Sequence, residues 1–221
     1  MTRIASRCSL LALLTCGLAG LAGAAAPPTV LDTYLVDLKT LRAEFSQVVV
    51  DGRGGEVQRA TGKFVIQRPG KFRWELVPDA NAGATQSPQL MIADGKNLWF
   101  YDRDLDQVSV KPAATALTAT PASLLSGDGK LGEYFTVSAD GRRDGFDWVK
   151  VVPKRKDADF REAQLAFRNA GAELTRMVLK DKLGQTVRLD FNASARNVPV
   201  AEAEVQFTPP AGADVIGTPI P

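Results

Sequence analysis

The chain has 221 residues, 45% of them hydrophobic and 24% charged, with 27 basic against 25 acidic side chains. These values exclude a disordered or collagen-like chain and suit one globular domain. A nearly balanced formal net charge of +2 does not indicate a polyanion-binding surface, and the absence of histidine excludes the Ser-His-Asp and Cys-His classes of catalyst.

The N-terminus reads as a secretory leader. Arg3 and Arg7 form a positive region, Leu10 to Leu21 is apolar, and Ala24 to Ala26 offers small residues for cleavage. The expected division is a cleaved leader over 1–24, with the boundary at 24–26, and a single domain over 25–221. The apolar run is shorter than the roughly 20 residues that span a bilayer. Cleavage removes two basic residues and both cysteines, Cys8 and Cys16, leaving 25 charges of each sign. An exported chain without cysteine must be held by its core. The alternative is lipidation at Cys16, which would give a membrane-anchored module of the same fold.

Val30 to Leu41 shows helical spacing, with Leu31, Tyr34, Leu35, Leu38 and Leu41 on one face and Thr29 and Asp32 as a capping pair. The period then becomes two. Strands are predicted near 43–50, 58–68, 72–77, 89–93, 97–102, 106–111, 133–139, 146–152, 162–168, 173–180, 185–192 and 203–208. Asp51-Gly52, Pro69-Gly70, Asp94-Gly95, Asp140-Gly141 and Asp144-Gly145 supply turns between them. Residues 81–88 read as a polar loop. Thr120 to Leu125, followed by Gly127, reads as a short capped helix. The expected fold is mainly β: an antiparallel sheet of ten to twelve strands, curled around an interior it does not fill. A sheet of that width curls, yet is wider than side chains alone fill.

The chemistry inventory points away from catalysis. No phosphate-cradling glycine loop is present, because Asn97 and Leu131 follow Lys96 and Lys130 where Ser or Thr is required. Asp102, Asp104 and Asp106 imitate the start of a calcium loop, but Gln107 and Ala113 replace its essential Gly and Glu. The expectation is therefore no catalytic residue, no metal and no cofactor.

The segment from Lys63 to Leu76 is the most informative. Phe72, Trp74 and Leu76 alternate with Lys71, Arg73 and Glu75, while Phe64, Ile66 and Arg68 share one face of the preceding arm. A loop over 69–71 would pair Arg68 with Phe72 and Ile66 with Trp74, keeping the apolar sets together. Arg68 then stands at the rim of an apolar interior, where its five donors need partners. It reads either as a solvated rim residue or as a latch on carbonyls lying over the mouth. The predicted lining is Phe64, Ile66, Phe72, Trp74 and Leu76, joined by Trp99, Tyr101, Trp148 and Met177. The predicted lid contacts are Leu31, Leu35 and Leu38, with Leu124 and Leu125. Leu98 to Tyr101 is apolar on both faces, which leaves its orientation open.

In order and spacing, several motifs resemble the outer-membrane lipoprotein carrier family, the LolA-type periplasmic chaperones. They are Phe45-x-Gln47, Arg68-Pro69-x-x-Phe72-x-Trp74, Asp94-Gly95-Lys96-x-Leu98-Trp99-x-Tyr101-Asp102, Thr120-Pro121-x-x-Leu124-Leu125 and Phe207-Thr208-Pro209-Pro210. The resemblance implies an incomplete antiparallel β-barrel of about 11 strands with a lid of short α-helices over an apolar cavity, and a periplasmic chaperone with acylated lipoproteins as cargo. It also implies two partners: an inner-membrane ABC lipoprotein-releasing transporter and an outer-membrane lipoprotein receptor. It assigns Arg68 to the lid-bonding position and Phe72 to the region of partner contact. A monomer is expected, with no nucleic-acid partner. The 81–88 loop and the tail after Gly212 depart from the family pattern.

Overall fold

The computed structural model describes residues 27–79, 88–116, 122–127 and 131–221. The predicted leader, most of the polar loop and the Thr120-Pro121 cap lie outside them.

The first element is α1 (Val30–Val36). Thr29 and Asp32 form the capping box, with Thr29 N–H donating to Asp32 Oδ2 at 2.7 Å and Asp32 N–H to Thr29 Oγ1 at 3.4 Å. The helix stops five residues short of the predicted Leu41. Beyond it the Lys39 and Thr40 N–H groups donate to Asn197 Oδ1 at 2.8 and 3.4 Å. The chain then becomes β1 (Thr40–Val50), flanked by β2 (Glu56–Gln67) and β11 (Thr186–Arg196). Two ladders of tertiary hydrogen bonds outweigh the spacing of a helix too short to persist alone. Leu38 and Leu41 stay buried after the helix has ended.

The sheet continues through β3 (Lys71–Pro78), β4 (Gln89–Asp94), β5 (Asn97–Asp102) and β6 (Gln107–Pro112) on one side. On the other run β7 (Phe135–Arg143), β8 (Phe146–Pro153), β9 (Phe160–Arg168) and β10 (Glu173–Asp181), with β12 (Asp214–Ile216) closing the chain. The order is β12-β6-β5-β4-β3-β2-β1-β11-β10-β9-β8-β7. The sheet is therefore open, with β12 and β7 as its outer strands. Every pair is antiparallel except β12 with β6. Among the described residues, three short helices, α2 (Ala113–Ala116), α3 (Ser123–Ser126) and α4 (Leu131–Tyr134), lie in the crossing from β6 to β7. α4 occupies the predicted start of the 133–139 strand.

Two predicted turns take other forms. Asp140-Gly141 is a bulge inside β7, where the register slips between Ala139 and Arg142 and Gly141 adopts φ +75. The hairpin turn comes next, at Asp144-Gly145, where both residues have positive φ as a two-residue primed turn demands. The strand predicted at 203–208 is absent. Glu204 and Val205 spend their N–H groups in a tight turn on Ala201 and Glu202, and Pro209-Pro210 has none to offer a ladder.

Alternation sorts the side chains into two apolar layers. The concave layer joins Phe45, Phe64, Phe72, Val149, Leu165 and Met177 to the helices through Leu31, Leu124 and Leu125. The convex layer, on β4–β6, is built from Leu90, Ile92, Trp99, Val108 and Val110. The C-terminal segment covers it, with Phe207 5.6 Å from the Trp99 ring and 6.0 Å from Tyr101. Asn97 ties down the tail by exchanging hydrogen bonds with Ile220, at 3.0 and 2.8 Å. Phe207→Ala should expose Trp99 and cost about 1–2 kcal/mol, below the full Phe→Ala range because the ring is only half-buried. A melting curve followed by tryptophan fluorescence measures it.

Candidate functional site

The hairpin between β2 and β3 carries the site. Gln67 pairs with Lys71 and Ile66 with Phe72, so the loop is Arg68-Pro69-Gly70 and not 69–71. The expected pairing was two residues out of step. A two-residue shift keeps every side chain on its face, so alternation could not separate the two registers. The Arg68 N–H decides it: it donates to Lys39 O at 2.8 Å, away from β3.

Arg68 thus leaves the strand and reaches under the lid. Its Nη1 donates to Leu35 O at 2.5 Å and to Leu38 O at 3.4 Å, and its Nε to Gly127 O at 3.0 Å. These acceptors belong to the end of α1, its exit and the residue after α3. Gly70 N–H adds a bond to Ser126 O at 2.7 Å. One turn of the sheet therefore grips both lid segments. Beside it runs a groove of about 570 Å³, bordered by Val36, Lys39, Pro69 and Leu131.

Beneath the lid the concave face is shut from water. Phe64, Ile66, Phe72, Leu76 and Met177 are buried in one cluster with Leu31, Leu38, Leu124 and Leu125, while Trp74 and Leu35 pack against it half-buried. Phe72 is fully buried, with its ring edge-on to Phe64 at 6.2 Å. Tyr34 leans on Phe167 at 5.3 Å, and burial pushes its hydroxyl up to about 12 even with the opposing pull of Arg196.

Three predicted lining residues are not there. Trp99 and Tyr101 face outward under the C-terminal segment, while Leu98 of the same strand points into the concave layer. A polar anchor fixes this choice: Trp99 Nε1–H donates to Asp94 Oδ2 at 2.7 Å. Trp148 also faces out, because its neighbours Val149 and Val151 take the concave side. Arg143 lies over the Trp148 ring at 4.1 Å and Phe146 meets it edge-on. Phe45, Phe167 and Phe191 belong to the concave layer and were missed, although the alternation of their strands placed them there. Among the described residues no group of three or more acidic side chains is arranged to hold a metal, and no helix is long and apolar enough to cross a membrane.

The convex anchors respond to acid. Burial raises the Asp94 carboxyl, but N–H groups of Trp99, Asn97 and Lys96 outweigh it and the net shift is downward. The Arg42 guanidinium, helped by the Ala201 N–H, holds Glu204 down at about 2. Depressed carboxylates contribute stability above their unfolded values near 4, and lose it as the pH falls through the folded ones. The melting temperature should therefore hold down to about pH 5 and fall between about pH 4 and about pH 2. Arg42→Ala should flatten part of that fall in a pH series of melts.

An open sheet whose concave apolar face is closed by short helices pinned through hydrogen bonds defines a lidded, unclosed barrel. The sequence profile of the outer membrane lipoprotein carrier protein LolA matches residues 37–208. An outer-membrane lipoprotein carrier protein of Dechloromonas aromatica (strain RCB) is 41% identical over 187 residues, covering 85% of this chain and 86% of that one. Its counterpart in Methylobacillus flagellatus is 39% identical over 187 residues, covering 85% and 87%. A crystal structure of an uncharacterized conserved protein from Thermus thermophilus shares the fold, with a TM-score of 0.50 and 15% identity over 85% of this chain and 94% of that one. The chain belongs to the outer membrane lipoprotein carrier protein family.

Proposed function

We infer that this chain is a periplasmic carrier of lipoproteins, sheltering their acyl chains between the concave face and the lid. Membership of the carrier family supports the carriage and the compartment. The observation that supports the mechanism is the Arg68 geometry: an apolar layer closed by a polar grip on carbonyls of both lid segments.

The energetics fit the task. Each acyl CH₂ kept from water is worth about 0.8 kcal/mol, so three long chains amount to tens of kcal/mol. The apolar layer opens when the lid lifts, and the acyl chains replace the contacts that the lid makes. Closing the lid again competes with cargo. Release therefore needs no nucleotide at the carrier itself. Delivery runs from an inner-membrane ABC transporter, as donor, to an outer-membrane receptor that binds without paying for a lid. Residues 25–221 act as one carrier domain after the leader is removed, and none of its steps is catalytic.

Native mass spectrometry of the protein drawn from the periplasm tests the carriage. The expected spectrum contains carrier with one lipoprotein bound. A spectrum of empty carrier alone, from cells that make and release lipoproteins, would contradict it.

A further inference from the structure

The lid helix is gripped from a second side. α1 has seven residues and no basic side chain in its last turn; the Leu38 N–H closes back on Leu35 O at 3.3 Å, and side chains from elsewhere in the chain supply the other donors at its end. Arg68 takes Leu35 O. Arg196, the last residue of β11, takes the neighbouring carbonyl: its Nη2 donates to Tyr34 O at 2.9 Å. The Arg196 guanidinium also lies over the Tyr34 ring at 4.3 Å, and its Nη1 reaches Ala172 O at 3.4 Å. Successive residues of a helix point about 100° apart. The two carbonyls are therefore approached from different sides, by Arg196 at the end of β11 and by Arg68 just past the end of β2, the two strands that flank β1.

The next residue sets the pivot. Asn197 Oδ1 accepts from the Lys39 and Thr40 N–H groups, and its Nδ2 donates to Asp37 O at 2.9 Å. The linker from α1 to β1 is thus fixed to the end of β11, beside the second grip. Arg196 is also incompletely satisfied, because its Nε is buried with no acceptor. A buried donor without a partner costs free energy in the closed form. Lifting the lid relieves that cost, so the grip holds the helix without locking it.

We propose that Arg196 is a positioning residue for cargo release: with Arg68 it supplies donors at the end of α1, and together the two arginines set how strongly the closed lid competes with acyl chains. This rests on the carrier reading above. Arg196→Leu should weaken the closed form alone. Binding of a fluorescent triacylated cysteinyl peptide to the purified protein should tighten about tenfold, equivalent to about 1.4 kcal/mol. The melting temperature of the empty protein should fall, while that of the peptide-loaded protein stays at the wild-type loaded value. Arg196→Lys keeps a cation near Tyr34 but cannot span to Ala172, and should show a smaller tightening. It carries the test if Arg196→Leu does not fold. Unchanged or weaker peptide binding, with empty and loaded forms destabilised alike, would overturn the proposal and leave Arg196 a structural residue. Failure of the wild-type protein to bind the peptide at all would instead overturn the carrier reading.

Discussion

Arg68→Leu should produce a carrier that accepts lipoprotein and fails to pass it on. The substitution removes the bonds to Leu35 O, Leu38 O and Gly127 O and leaves an apolar side chain beside an apolar layer. Hydrogen bonds to a charged group contribute about 1.5–3 kcal/mol each when well formed. The Leu38 bond is long, so two strong contacts are at stake. The freed carbonyls border an open groove and regain water, so the loss falls short of a full burial penalty. A closed form weakened by about 3 kcal/mol raises apparent cargo affinity by roughly a hundredfold. A transfer assay with purified receptor measures it: lipoprotein should remain with the Arg68→Leu carrier while the wild type is emptied. Hand-off at the wild-type rate would remove the latch from the mechanism. Arg68→Lys should be intermediate, since an ammonium cannot fork between α1 and the end of α3.

The largest stability effect should come from Gly62→Ala. Gly62 lies in β2 between Phe45 of β1 and Leu76 of β3. A Cβ there would stand 2.2 Å from Glu75 O and 2.3 Å from a ring carbon of Phe45. The carbonyl belongs to the ladder and cannot retreat. The Phe45 ring lies tilted against Trp74 with centroids 4.4 Å apart, so it cannot swing aside without displacing that ring. Overpacking a core costs about 1–3 kcal/mol, and two simultaneous clashes place this variant near the top. Thermal unfolding should drop by roughly 6–12 °C for a chain of this size. An unchanged melting temperature would mean that Phe45 is not seated over Gly62.

Much of this was legible in the sequence, because the concave face is written in strict alternation. Phe64, Ile66, Phe72, Trp74 and Leu76 fall on one face in both the expected and the observed register, since the two differ by two residues and keep parity. Arg68 stood out because a cation at the end of an apolar face must find acceptors. Alternation alone could not show which acceptors, since they lie on the exit of α1 and after α3, far away in the chain.

The errors have a common origin. Leu98 to Tyr101 is apolar on both faces, so parity gave no direction. The deciding bond, Trp99 to Asp94, and the covering ring of Phe207 come from outside the strand. Trp148 departs from the expected lining because its neighbours Val149 and Val151 hold the concave side of β8. The helix was extended past Val36 because Leu38 and Leu41 keep helical spacing, yet both are buried for reasons set by β11 and Asn197. Arg196 escaped notice for the same reason: its partner, Tyr34 O, is 162 residues away.

Photo-crosslinking from the two faces of the sheet tests the central idea most directly. A benzophenone amino acid at Phe72 or Trp74 should capture the acyl chains of bound lipoprotein, and the same group at Trp99 or Trp148 should capture none. Acyl adducts formed from Trp99 or Trp148 but not from Phe72 or Trp74 would place the cargo outside the lidded face and contradict the account.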